Sequence, residues 1–284
     1  MDRTFTLTVS CPDKTGLIAS ITDCIAKTGG NVLNMAQHTA TDIGMFFCRV
    51  DFNPEDTQNF TEDKFRAAFS READKYEMKW QLFHRCRKER MAVLVSKTSH
   101  CLYEVLIKHK DGILNCEIPV IISNHPDLCG IATDFHVPFF QIDPSKGKQA
   151  VEQDIQRILD QYNINVLCLA RYMQILTPEF TRRWNNKIIN IHHGFLPAFK
   201  GAKPYHQAWN KGVKIIGATA HFANEDLDQG PIIYQDVIRV SDTNSIEEFV
   251  QMGKDVEREV LVEGLKRYFN HNIFIYNNRT FIIE

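Results

Sequence analysis

No stretch of this sequence is apolar for long. None approaches the roughly 18 residues that a helix needs to cross a bilayer, so no membrane partner is expected. The N-terminal MDRTFTLTV has no basic region followed by an apolar one, which argues against a secretory signal. There are eight cysteines, Cys11, Cys24, Cys48, Cys86, Cys101, Cys116, Cys129 and Cys168, but no C-x-x-C pair. Most lie in apolar or strand-like runs, so free thiols in a reducing cytoplasm are the expectation. Excess charge is lacking too. The 33 Lys and Arg nearly balance the 35 Asp and Glu, for a formal net charge of -2. That argues against a nucleic-acid partner or an anionic membrane surface. Repeats and low-complexity segments are absent. What remains is an ordinary globular composition, 44% hydrophobic and 24% charged, over 284 residues. At that length a chain buries roughly 75% of its unfolded surface, in one large or two ordinary domains.

Two segments follow different patterns. In residues 1 to 83, Phe5, Leu7 and Val9 alternate with polar residues, as in a half-buried strand. After the turn CPDKTG, Leu17, Ile18, Ile21, Cys24 and Ile25 share one helical face, and Gly29 and Gly30 stop the helix. Val32 to Ala36 and Met45 to Phe52 read as strands joined around Thr41, Asp42 and Gly44. Phe65, Ala68 and Phe69 mark a second helix, and Tyr76, Met78, Trp80 and Leu82 alternate again. Strand, helix, strand, strand, helix, strand is the ferredoxin-like unit.

HRCRKER, residues 84 to 90, reads as a charged linker, and residues 91 to 284 as a second domain. MAVLVS, PVIISN, VPFFQI, INVLCLA and Lys187 to His192 are short apolar strands between helical stretches, one of which opens at TPEF. Continuous apolar strands of this kind imply an α/β fold with a doubly wound, mostly parallel sheet covered on both faces. GATAHF, GPIIYQDVIRV, a long helix around Ile246 to Phe269, and the strands NIFIY and RTFII complete the chain.

The chemistry centres on KIINIHHGFLP. Ligands bind at the open end of a parallel sheet, and here Asn190 and His192 fall at the end of an apolar strand. Being two apart, they project from the same side, while Ile189 and Ile191 point into packing. Downstream, HFANEDLDQGPII is an acidic loop ending in Gly230 and Pro231. An amide donor, an imidazole and a carboxylate suit acyl chemistry: two can polarise a carbonyl, and the third can move a proton. A metal site built from His192, His193 and His206 or His221 lacks the helical pairing or Cys partners of common zinc sites, so no metal is expected. Such a mechanism needs Asp228 raised from about 3.9 and His192 held charged from about 6.5.

Taken together, INIHHGFLPAFKGAKPYHQAWNKG, GATAHFANEDLDQGPII and LARYMQILTPEF resemble the folate-dependent formyltransferase family over roughly residues 90 to 284. The resemblance implies Asn190, His192 and Asp228 as catalytic residues. It puts Met173, Gln174, Ile175, Leu176, Ile188, Ala223, Asn224 and Asp226 at the pterin pocket, and His193 beside the substrate, where placing water and simple packing are the alternative roles. CPDKTGLIASITDCIAKTGGNV resembles an ACT domain, so residues 1 to 83 are expected to be a regulatory module of ferredoxin-like fold. An ACT domain plus a doubled histidine resembles the hydrolytic branch of the family. That branch cleaves 10-formyltetrahydrofolate to tetrahydrofolate and formate, with folate as substrate and no other cofactor, and so supplies the one-carbon pool for purine synthesis. One departure is Gly194, where the resemblance expects Ser. The rival activities are transfer to glycinamide ribonucleotide and non-enzymatic folate or amino-acid sensing. Against transfer, no glycine lies between Val93 and Leu106, where the transferases carry a Gly-rich phosphate loop. The ACT resemblance also implies a homo-oligomer, dimer or tetramer. It implies an amino-acid effector, glycine or methionine, near Asp13, Gly16, Gly30 and Asn31.

Overall fold

The structure is a computed structural model that describes residues 3–55, 60–198 and 204–284. The chain divides into two compact units. One is Met1–Lys88, His271–Tyr276 and Phe281–Glu284; the other is Glu89–Asn270 and Asn277–Thr280. The C-terminal residues 271–276 and 281–284 therefore group with the first unit, whereas the sequence assigned everything from 91 to 284 to the second.

In the first unit, β1 (Phe5–Pro12), α1 (Leu17–Lys27), β2 (Gly30–Ala40), β3 (Met45–Pro54), α2 (Glu62–Tyr76) and β4 (Lys79–His84) follow the expected order. The sheet runs β2-β3-β1-β4 with antiparallel neighbours. Leu7 and Val9 of β1 pack with Ile21 and Ile25 of α1, Val50 and Phe52 of β3, and Phe65 and Phe69 of α2. Three local expectations change. Ile18 is 44% exposed, because it lies one residue, about 100° of helix, from Leu17. Tyr76 ends α2 instead of opening a strand. β1 is buried on both faces, Thr6 and Thr8 included. It is a central strand, and the second face of the sheet is also covered, with Phe47 packed among Phe274, Phe281 and Ile283.

The second unit contains β5 (Glu89–Val95), α3 (His100–Lys110), β6 (Cys116–Ser123), α4 (Cys129–Asp134), β7 (Phe139–Gln141), α5 (Lys148–Gln161), β8 (Val166–Leu169), α6 (Pro178–Arg183), β9 (Ile188–His192), α7 (Pro204–Asn210), β10 (Ile215–Phe222), β11 (Ile232–Arg239) and α8 (Ile246–Phe269). β5 begins inside the stretch read as a linker, because Glu89 and Arg90 already pair with Cys116 and Glu117. The sheet order is β11-β10-β9-β8-β5-β6-β7. Pairing is parallel from β7 through β9 and antiparallel at β10 and β11. Ile155, Ile158 and Leu159 of α5, with Phe180 and Trp184, cover one face through Ala92, Leu94, Val120, Ile122, Leu167 and Leu169. α3 and α8 pack together, with α8 also against β9, β10 and β11. The order reverses between β5 and β8, so the carboxyl ends of β5, β8 and β9 border the crevice where such sheets bind ligands.

Gly30 has a packing role in the first unit. A Cβ there would lie 2.8 Å from Ile25 Cγ2 and 2.9 Å from Phe52 Cδ2. Gly30→Ala should therefore destabilise the protein by about 1–3 kcal/mol through overpacking, read as a lower urea midpoint.

Candidate active site

β9 and β10 build the floor of the site. Their antiparallel register sets His221 opposite Asn190 and Thr219 opposite His192. The Asn190 amide nitrogen lies 3.1 Å from His221 Nε2. His221 Nδ1 lies 2.9 Å from the Phe222 carbonyl oxygen. A carbonyl only accepts, so His221 Nδ1 carries a proton, while Nε2 faces both the Asn190 amide and Asp228. One amide proton of Asn190 remains for another acceptor. The turn beyond His192 is also tied to β10: Thr219 Oγ1 donates to the Gly194 carbonyl at 2.9 Å and accepts from the Leu196 N–H at 3.1 Å. The turn is thus held through the Gly194 backbone, whichever side chain stands there. Residues 199–203 of the recognised motif lie outside the described residues.

The loop between β10 and β11 supplies the acid. Ala223 N–H donates to the Ile188 carbonyl, and Phe222 N–H to the Pro231 carbonyl, both at 2.9 Å. A Cβ on Gly230 would lie 1.7 Å from the Phe222 oxygen, so only glycine permits that closure. Asp228 turns back with a left-handed φ of 56°. Its Oδ2 comes within 3.2 Å of His192 Nδ1, and its Oδ1 within 3.7 Å of His221 Nε2. Burial alone would raise the Asp228 pKa, but hydrogen bonding and charge from His192 and His221 outweigh it and hold the carboxyl well below its usual range. This corrects the expectation of a raised Asp228: the two imidazoles stabilise the carboxylate. His192 Nε2 is buried and has no hydrogen-bond partner among the described residues.

Asn190, His192 and Asp228 line a cavity of about 650 Å³, within the usual size of a small-molecule site. Met173, Gln174, Ile175, Leu176, His193, Ala223, Asn224 and Asp226 line it too. Met173, Ile175 and Leu227 are 57%, 56% and 57% exposed, apolar surface at its rim. Ile188 does not line it. Its side chain is buried in the apolar layer against which Leu176 and Ala223 pack. The residues proposed for an effector lie in the first unit, where Asp13, Gly16 and Asn31 are exposed. Gly16 has a left-handed φ of 93° ahead of α1. The space before Gly30 is filled by Ile25 and Phe52 of the protein itself.

The sequence reading missed Arg171 and Tyr205 of the lining, Glu257 behind them, and the pairing of His221 with Asn190. His221 did carry a signal, as a titratable residue at the end of an apolar strand. His100, Cys101 and Glu257 are close enough to hold a metal ion. Their chemistry does not suit one. Glu257 already accepts from His100 and Tyr205, at 2.8 Å each, with Arg171 at 3.5 Å. Burial pushes the Cys101 thiol well above its ordinary value.

Comparison with known proteins now adds to this geometry. The formyl transferase family matches residues 89–265, and the ACT domain family residues 5–63. A formyltetrahydrofolate deformylase of Synechocystis is 43% identical, with 98% of each chain covered. That of Bacillus subtilis is 40% identical, covering 98% of this chain and 93% of its own. The crystal structure of a Pseudomonas syringae formyltetrahydrofolate deformylase matches at a TM-score of 0.95 and 40% identity, covering 100% and 95%. A glycinamide ribonucleotide transformylase from Symbiobacterium toebii matches less fully, at a TM-score of 0.66 and 28% identity, over 69% of this chain and 95% of its own. The chain belongs to the formyl transferase family and, within it, to the formyltetrahydrofolate deformylases.

The lowered pKa of Asp228 has a consequence for stability. A depressed carboxyl stabilises the folded state fully above its unfolded pKa, about 3.9, and loses that effect as pH falls toward the folded value. Asp228→Asn should therefore be less stable than the parent near pH 7, with the gap closing below about pH 4. Urea unfolding across that range checks it; a gap that widens in acid would contradict the ion pair.

Proposed function

We propose that this chain hydrolyses 10-formyltetrahydrofolate to tetrahydrofolate and formate. The observation that carries the reading is the Asn190, His192 and Asp228 constellation on one cavity wall, with the carboxylate 3.2 Å from the imidazole. The names of the relatives agree with it. The formyl oxygen lies against the free amide proton of Asn190 and Nε2 of His192, whose Nδ1–H is engaged by Asp228. Water adds to the formyl carbon as Asp228 accepts its proton. The oxyanion is stabilised by Asn190 and by His192 in its imidazolium form. Collapse breaks the bond from carbon to N10, which takes the proton held by Asp228, and the formic acid formed gives its remaining hydroxyl proton to solvent and departs as formate. None of these steps calls on a metal or redox group.

Water as the acceptor is supported at the end of β5. Ser96 is buried, its hydroxyl donates to Asn124 Oδ1 at 2.7 Å, and it accepts from the Met173 N–H at 3.0 Å. That hydroxyl ties the Met173 loop to β5 and is not free for a phosphate. The exposed apolar rim of Met173, Ile175 and Leu227 suits the flat ring system of a folate. The same reading includes formate supply for purine synthesis, a cytoplasmic setting, and a homo-oligomer whose rate responds to glycine or methionine at the ACT domain. The exposed β2 edge of the first unit, with Leu33 accessible, supports a subunit contact of that kind.

Formate release from 10-formyltetrahydrofolate, with no acceptor added, tests the reaction. Asp228→Asn should cost about 10²–10⁴-fold in turnover, and Asn190→Ala or His192→Ala about 10²–10³-fold, with folate affinity largely kept. Near-parental turnover in Asp228→Asn would remove that residue from the chemistry, and faster transfer to glycinamide ribonucleotide would replace water as acceptor. For the ACT domain, glycine or methionine should raise the melting temperature and alter the rate of an oligomeric full-length chain. A monomer by sedimentation that ignores both amino acids would leave the domain a structural one.

A further inference from the structure

The cavity has a second polar wall, which this chemistry does not use. Arg171 follows β8 at the open end of the sheet, in a left-handed conformation with φ 63° that non-glycine residues seldom adopt. It lines the cavity with His193 and Tyr205. Behind them stands Glu257 of α8, 1% exposed. Its Oε1 accepts from Tyr205 Oη at 2.8 Å, and its Oε2 from His100 Nε2 at 2.8 Å, with Arg171 Nε 3.5 Å away. Gly253, one turn earlier on α8, makes room for this: a Cβ there would lie 2.2 Å from the Tyr205 ring. The Tyr205 ring in turn meets the edge of His193 at a centroid distance of 6.3 Å, and His193 lies 5.3 Å from His192.

A buried carboxylate is costly unless paired, and a strained arginine persists only where its surroundings hold it. Both costs are borne at one place, the wall that carries His193. Removing that wall's charges would leave the Asn190, His192 and Asp228 hydrogen bonds intact, so the network is not there to hold them. We propose that Arg171 and Glu257 are positioning residues for His193, and that His193 orders the attacking water beside the formyl carbon. The proposal rests on reading the cavity as a site of formyl hydrolysis. A neutral imidazole suits the task, because one of its nitrogens accepts a hydrogen bond from water and leaves an oxygen lone pair to face the carbon. The charged groups that act on His193 are Arg171, Glu257, His192 and Asp228. Burial first, then the charge of Arg171, lowers its pKa to about 4, while Glu257 and Asp228 pull the other way. The ring is thus neutral above about pH 4, and Asp228 is a carboxylate over all of that range.

Removing the charge of each neighbour gives the test its signs. Without Arg171, His193 gains a proton at higher pH, so the acid limb of kcat should move toward neutrality. Without the charge of Glu257, the same limb should move toward lower pH. The experiment measures kcat and KM for 10-formyltetrahydrofolate between about pH 2.5 and 8 in the full chain and in Arg171→Gln, Arg171→Lys, Glu257→Gln and His193→Gln. His193→Gln should lose about 10²-fold in kcat and Arg171→Gln about tenfold, with KM little changed. Arg171→Lys should restore the parental acid limb. The proposal is overturned if His193→Gln turns over at the parental rate. It is also overturned if folded Arg171→Gln and Glu257→Gln shift the limb in the same direction or not at all. Equal losses of kcat, folate affinity and melting temperature in every variant, Arg171→Lys included, would mark a purely structural cluster and reject it as well. Should Arg171→Gln not fold, the Glu257→Gln limb and the His193→Gln rate decide. A parent chain that releases no formate rejects the hydrolysis itself; an active parent with unaltered variants rejects only the positioning roles.

Discussion

Everything at the triad depends on one close approach, the glycine at position 230 against the carbonyl oxygen of Phe222. With 1.7 Å between that oxygen and the place of a Cβ, no other residue closes the loop in this way. The closure holds Asp228 in its left-handed conformation and sets its carboxylate 3.2 Å from His192. A longer or looser loop would let the acid swing into solvent, where it would titrate as an ordinary carboxyl. The Asp228 carboxylate is therefore positioned by backbone sterics first and by its hydrogen bonds second.

The sheet supplies the rest of the geometry. β9 is the last parallel strand, and β10 returns antiparallel beside it. That single reversal places His221 opposite Asn190 and gives the amide a fixed partner. A parallel neighbour would have required a crossover of a dozen or more residues and could not have put a hairpin loop over the end of β9. The loop bearing Asp228 is the direct connection between β10 and β11, so the change of strand direction is what brings acid, amide and imidazole together.

Local chemistry was legible in the sequence wherever short spacing determined it. Asn190 and His192, two apart on a strand, had to share a side. The apolar runs had to be buried parallel strands, and the alternation in the first 83 residues had to give a ferredoxin-like sheet. Partners distant in sequence left no such trace. Glu257 reads as one more acid on a helix of alternating charges, and nothing nearby announces that Tyr205, 52 residues earlier, donates to it. Ile188 was placed at the pocket by the family resemblance, whereas its side chain is buried in the apolar layer behind the cavity. The direction of the Asp228 shift was misjudged for a related reason. Burial, which the sequence suggests, raises a carboxyl pKa, while the two imidazoles that outweigh it come from different strands.

One cavity wall carries the Asp228 carboxylate, and another is braced by that of Glu257. Two carboxylates sharing a poorly solvated site normally push one another's pKa up until one is neutral. Here both are held below their ordinary values. Each has its own neighbours: His192 and His221 face Asp228, and His100, Tyr205 and Arg171 face Glu257. Because no neighbour is shared, neither acid gains by taking the other's proton. Asp228 can then remain ionised, able to accept a proton from water, beside a second buried acid. His193 lies within the field of both networks, and the charge of Arg171 outweighs that of either acid in setting its pKa. The balance at this histidine is thus set by charges contributed from the end of β8, α8 and the β10–β11 loop, three segments that only the completed sheet brings into one cavity.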